Sequence, residues 1–218
     1  MISADDIVAL QDRMTLAWHA TPDARSEGLP AGSPAEAIRG QETAAVWLEQ
    51  IANQHRANFD LWHIEDQARA PGATDAEIAQ VKRRVDKTNQ LRNDLAEELD
   101  RTVVSWLESR GLLNVAAPLH SESPGLIIDR LSILALKIYH TREEAERADA
   151  PPGHAERNRR RLAILEEQRA DLAGCLDALW RETLNGTRSF KLYRQLKMYN
   201  DPSLNPAIYG KAAAGHER

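Results

Sequence analysis

The sequence predicts an all-α protein: an antiparallel up-down helical bundle built from a duplicated helical hairpin, with a short extra helix at each end. Three observations predict it. The composition is rich in Ala, Leu, Glu and Arg, which favour helix, and only 11 of 218 residues are Gly. Pro and Gly fall in clusters that separate long stretches of helical periodicity. A stretch of about 40 residues then recurs without a gap.

The elements follow from their stop and start signals. Ser3 caps a first helix over 3–19, which ends near Thr21-Pro22. The loop TPDARSEGLPAGSPAE leads into a helix that begins between 36 and 42 and ends near 70. Pro71-Gly72 breaks it, and Thr74 or Asp75 caps the next helix, over 75–110. A loop over 111–124 ends in Ser123-Pro124, a cap followed by proline at the first helical position. Helices over 125–148 and 155–184 flank Pro151-Pro152-Gly153, and Asn185-Gly186 stops the last of them. The tail, 186–218, holds one amphipathic segment, SFKLYRQLKMY. Residues 1–218 are read as a single domain.

Composition excludes several function classes. A net charge of −5 gives no broad electrostatic footprint for nucleic acid. The richest apolar stretch, LIIDRLSILALKIY, carries Asp129, Arg130 and Lys137, so no membrane span is expected. The single cysteine, Cys175, forbids an internal disulfide and suits a reducing cytoplasm. The acidic start MISADDIVAL does not read as a signal peptide. Cys175 lies beside an apolar seam and is expected to be a buried, inert thiol.

The recurrence pairs residues 61–100 with 138–177. Eleven of these 40 positions are identical. His63 matches His140, Trp62 matches Tyr139, Arg92 matches Arg169, and Leu99-Asp100 matches Leu176-Asp177. In the second helix of each copy the heptad seam runs Val81, Val85, Thr88, Arg92, Leu95, Leu99, and Asn158, Leu162, Leu165, Arg169, Leu172, Leu176. An arginine thus sits mid-seam twice. Desolvating an unpaired guanidinium is costly, so something anionic should face each one.

The first helices supply polar partners. His63 and Asp66 share a helix face, as do His140 and Glu143. Asn89 and Asn93 flank Arg92, and Asp129 and Ser132 line another face. A polar layer between apolar ends is expected, either as a network that fixes register or as a ligand or metal site. The five tryptophans are expected to pack in the core. His19, in Trp18-His19, echoes Trp62-His63; it could join the same layer, and the preferred reading is a boundary histidine.

Three chemistries can be compared with this layer. Ferritin-type di-iron bundles need Glu-x-x-His, which does not occur, whereas the reversed His63-x-x-Asp66 and His140-x-x-Glu143 do. These four are the candidate metal ligands, which makes a divalent metal the one cofactor expected. The all-helical nucleotide pyrophosphatases hold magnesium with Glu-x-x-Glu followed by Glu-x-x-Asp. Glu143-x-x-Glu146 fits the first half, but no Glu-x-x-Asp follows it. The third is an anion pocket formed by Arg92, Arg169, Arg130 and Lys137. Metal and anion both stay open.

At NFDLWHIEDQAR, KRRVDKTNQLRND, SPGLIIDRLSILALKIYH and YRQLKMYNDPSLNP the chain resembles the bacterial family called domain of unknown function 4254. The resemblance spans roughly 40–205. Members of that family are often encoded near glycosyltransferases, which implies a sugar-nucleotide or glycan setting and no particular mechanism. The matching motifs include His63, Asp66, Asn89, Arg92, Asn93, Asp129, Arg130, Lys137 and His140.

The expected function is binding of a phosphorylated small molecule of sugar-nucleotide type, or of a metal, at the polar layer. Arg92 and Arg169 would clamp the anion, with Asn89, Asn93, Asp129, Arg130 and Lys137 beside it. His63 and His140 would act as acid/base groups or ligands, oriented by Asp66 and Glu143. The alternative is a non-catalytic interaction module, homodimeric or partnered with a glycosyltransferase.

Overall fold

The structure, a computed structural model, describes residues 2–20, 42–194 and 204. Five helices account for most of them: α1 (Ala4–Ala20), α2 (Glu42–Ala68), α3 (Asp75–Glu108), α4 (Pro124–Glu146) and α5 (His154–Leu184). The expected boundaries hold to within a few residues. α2 packs along α3 and α4 along α5, giving the two expected hairpins, and α1 lies against α2, α4 and α5. One apolar core draws on all five helices, with Leu10, Leu48, Leu107, Leu131 and Leu176 fully buried. No described helix is long and apolar enough to cross a membrane.

Local chemistry sets the ends. The Ser3 hydroxyl accepts from the Asp6 backbone N–H at 3.1 Å and opens α1. Thr74 and Glu77 form a capping box that opens α3. That box holds the Glu77 carboxyl below its usual range, through its bond from the Thr74 backbone. After α5, Gly186 takes a left-handed conformation (φ 71°), and the chain turns back under the helix end. There Ser189 pairs with the 118–120 loop: its N–H donates to Pro118 O at 3.0 Å, and its carbonyl accepts from His120 N–H at 2.7 Å. The segment expected to begin a C-terminal helix is not helical over 188–194, and its remainder lies outside the described residues.

The repeated residues have a docking role. Ser123 makes no side-chain cap within α4. Asp100, reaching across from α3, accepts the Gly125 N–H at 2.7 Å and the Ser123 hydroxyl in a very short bond. Asp177, its counterpart on α5, accepts the Ala4 N–H at 2.9 Å at the start of α1. Eight residues earlier, Arg92 pairs with Asp129 on α4, and Arg169 pairs with Asp12 on α1. Each long second helix therefore docks a neighbour twice. A carboxylate caps the neighbour's positive N-terminus, and an arginine grips a carboxylate further along it.

The docking against α4 is close. A Cβ on Gly125 would press into the Ala96 carbonyl and lie 2.9 Å from the Asp100 carboxylate. Gly125→Ala should therefore lower unfolding stability by about 2–3 kcal/mol, read by urea denaturation.

Candidate functional site

The polar layer is built on Asp129. Its side chain is 8% exposed. It accepts from Gln54 in a very short bond, from Asn58 Nδ2 at 2.9 Å, and from Arg92 Nε and Nη2 at 2.8 and 2.7 Å. Arg92 Nη1 also donates to Asn89 Oδ1 at 3.2 Å. The carboxylate thus joins α2, α3 and α4, and the fork geometry fixes the plane of the guanidinium.

One turn along α4, Ser132 continues the network. Its hydroxyl oxygen accepts from Asn58 Nδ2 at 2.9 Å and lies 2.7 Å from His55 Nδ1. On the other side of that ring, Nε2 is 3.0 Å from the Thr15 hydroxyl, whose own proton goes to Gln11 O. This order assigns the proton of His55 to Nε2. Full burial pushes the His55 pKa down to about 3.

Beyond this network three histidines converge. One ring nitrogen from each of His19, His63 and His140 lies within 4.8 Å of those of the other two. The ring centres are 5.0–5.8 Å apart. Trp62 lies flat on His140 at 4.9 Å, and Tyr139 stacks on His19 at 4.1 Å. Phe59 packs edge-on against His19 and His63.

The tautomers follow from the partners. His19 Nδ1 is 2.7 Å from the Thr15 carbonyl, which can only accept, so Nδ1 carries the proton. His140 Nδ1 is 2.9 Å from Glu143 Oε2, a carboxylate that likewise accepts. In both rings Nε2 keeps its lone pair, and both Nε2 atoms are buried with no hydrogen-bond partner among the described residues. Burial lowers the His140 pKa, while Glu143 partly opposes it. Some other buried atoms also lack partners, such as the indole N–H groups of Trp47 and Trp180. Gln11, Gln50 and Gln54 each leave a buried Oε1 unpartnered as well, but the two histidine nitrogens are imidazole lone pairs, which are good metal ligands, on neighbouring rings.

The structure relocates several expected residues. His63 and His140 do meet, but their third partner is His19 from α1, which is no mere boundary residue. Glu143 bonds His140 Nδ1 and so orients that ring. Asp66 sits at the surface with Glu65, both paired to Arg69 at 3.0–3.4 Å. Arg169 is held by Asp12 of α1 at 2.7 Å, a different helix from the one that supplies Arg92 with Asp129. Arg130 is exposed and bonded twice to Glu122, and it lines a separate groove with Lys137 and Cys175. These residues do not join one anion pocket. Cys175 is exposed, not buried.

The α3 seam holds at Val81 and Leu99, as expected, but shifts by one residue between them. Asn93, Ala96 and Asp100 are buried, while Arg92 and Leu95 lie at the edge. Trp18, Trp47 and Trp180 are core residues as expected, and Trp62 and Trp106 pack at its margin. Sequence reading missed Gln54, His55 and Asn58. His55 and Ser132 lie six residues before the two copies of the repeat, at the same offset of 77, and extending that comparison backwards could have paired them.

Two measurements follow. Removing Arg92 alone (Arg92→Met) strands a buried carboxylate and should cost about 3–5 kcal/mol by chemical denaturation. Arg92→Met with Asp129→Leu should recover most of that loss. The second concerns pH. His55, depressed from 6.5 to about 3, contributes stability that is lost as pH falls through that window. Asp100, raised by burial from 3.8 to about 6, contributes stability that is lost as pH rises toward 6. Each slope is about 1.4 kcal/mol per pH unit, so the two oppose each other between about pH 4 and 6. His55→Gln should expose a stability that falls with rising pH there, and Asp100→Asn one that rises.

A family model described as a protein of unknown function, DUF4254, matches residues 48–192. No curated protein and no solved structure matches the chain. The matched span carries most of α2, all of α3, α4 and α5, and two of the three clustered histidines. The chain belongs to the DUF4254 family.

Proposed function

We propose that the protein is a metal-binding protein whose His19, His63 and His140 hold one divalent cation, of zinc type, with a coordination position left for a ligand. The observation that carries this reading is the pair of buried, unpartnered Nε2 lone pairs within one three-histidine cluster. Each of those two rings is fixed through its other nitrogen, His140 by a carboxylate and His19 by a backbone carbonyl. That is the arrangement by which proteins orient histidine ligands and raise their basicity. Neutral imidazoles suit zinc, copper, nickel and iron. Three protein ligands with an open fourth position are the pattern of catalytic rather than structural zinc.

Tetrahedral zinc with bonds of about 2.0–2.1 Å brings its nitrogens to about 3.4 Å from one another, so small rotations of the rings close the site. A cation there would act as a Lewis acid or activate a bound water.

Purified full-length chain, dialysed against zinc and then buffer, should retain about one zinc per chain by mass spectrometry of the metal. Zinc at about a hundred times its Kd should stabilise the fold by about 2.7 kcal/mol. His19→Ala, His63→Ala and His140→Ala should each lose that stabilisation while keeping a helical circular-dichroism spectrum. Zinc uptake unchanged in all three variants would overturn the reading.

A further inference from the structure

Beside the histidine cluster lies a groove of about 300 Å3 between α2, α3 and α4. Leu61, Trp62, Ile133 and Leu136 line it with apolar surface, and Arg92 and Asn58 add polar groups. Trp62 belongs to both places, since its ring also lies flat against His140. We propose that this groove binds a small monocarboxylate, its carboxylate on Arg92 and its apolar body against Trp62. The inference rests on the metal reading for the charge balance of the site and for placing the ligand's far end toward the histidine-held cation.

Arg92 is built for this task. A guanidinium has five N–H donors. Asp129 takes one from Nε and one from Nη2, and Asn89 takes one from Nη1. One donor therefore remains on each terminal nitrogen of the same planar group. Two donors on one guanidinium suit the two oxygens of a carboxylate. The group is already immobilised, because Asp129 is itself held by Gln54 and Asn58. Little side-chain entropy is then lost on binding.

Charge and size narrow the ligand class. The charge of Arg92 is balanced by Asp129. At the rim, Arg69 is shared between Glu65 and Asp66, which leaves one excess negative charge there. With Glu143 on His140 counted, a divalent cation at the histidines would bring the local sum to zero, so a singly charged carboxylate unbalances the site less than a phosphate dianion does. The volume is at the low end of the range for ligand pockets, which suits a small metabolite and not a nucleotide sugar.

The test uses the zinc-loaded full-length chain and isothermal titration calorimetry with 3-phenylpropanoate, its neutral amide 3-phenylpropanamide, and inorganic phosphate. The acid should bind at least about tenfold more tightly than the amide and than phosphate. Arg92→Lys keeps the charge facing Asp129 but lacks the planar fork, and should weaken the acid about tenfold with zinc content unchanged. Acid and amide binding alike, neither binding to zinc-loaded protein, phosphate binding as well as the acid, or Arg92→Lys behaving as wild type would each overturn the proposal. If Arg92→Lys does not fold, the comparison of acid with amide on the wild-type chain decides it. Acid binding that persists in chain unable to take up zinc supports the groove and overturns the metal reading. Stoichiometric zinc with no acid binding overturns the groove alone.

Discussion

A carboxylate out of reach of water must be fully bonded or it destabilises everything around it. Asp129 is that carboxylate, and its four donors come from two different helices packed against its own. Sliding α2 or α3 along α4 by a residue would break bonds that no solvent replaces. The register of the bundle, and with it the placing of every other polar side chain, depends on this one group. Ser132, one turn further along α4, extends the constraint through His55 to α1.

The histidine cluster follows from that register. His63 lies two turns beyond His55 on α2, His140 two turns beyond Ser132 on α4, and His19 one turn beyond Thr15 on α1. The His55–Ser132 and His55–Thr15 contacts bring the three helices level, and the three rings then meet. The same helices supply the groups that fix two of the tautomers. Structural satisfaction and candidate chemistry share one axis: the Asp129 carboxylate takes four donors at one end, while the Nε2 lone pairs of His19 and His140 are open at the other. The groove lined by Arg92 and Trp62 lies between these two ends.

The helices were legible because their ends carry strong local signals: Thr74 with Glu77, Ser123 before Pro124, Asn185 before Gly186. The recurrence was legible because Arg92, Asp100, Arg169 and Asp177 keep their spacing, and the structure shows why, since each pair docks a neighbouring helix. The arginines' need for anionic partners was also correctly read. The identity of those partners was not, because Asp129 and Asp12 are distant in sequence and only packing brings them in. Part of the α3 seam was misplaced by a residue because Asn93 and Asp100 occupy buried positions, and periodicity of hydropathy cannot count a buried polar group. His19 was marked by the Trp18-His19 echo of Trp62-His63 but placed at the boundary of the layer, because it sits on a helix outside the repeat, joined to α2 through a long segment.

The central claim is that three imidazoles from three helices form one cation site. Anomalous diffraction at the zinc edge, from crystals of the full chain grown with equimolar zinc, tests it most directly. The account predicts one strong peak bonded at about 2.0–2.1 Å to a nitrogen of each of His19, His63 and His140, with Glu143 still on His140 Nδ1. Zinc bound elsewhere, or the three rings unchanged and no peak between them, would contradict it.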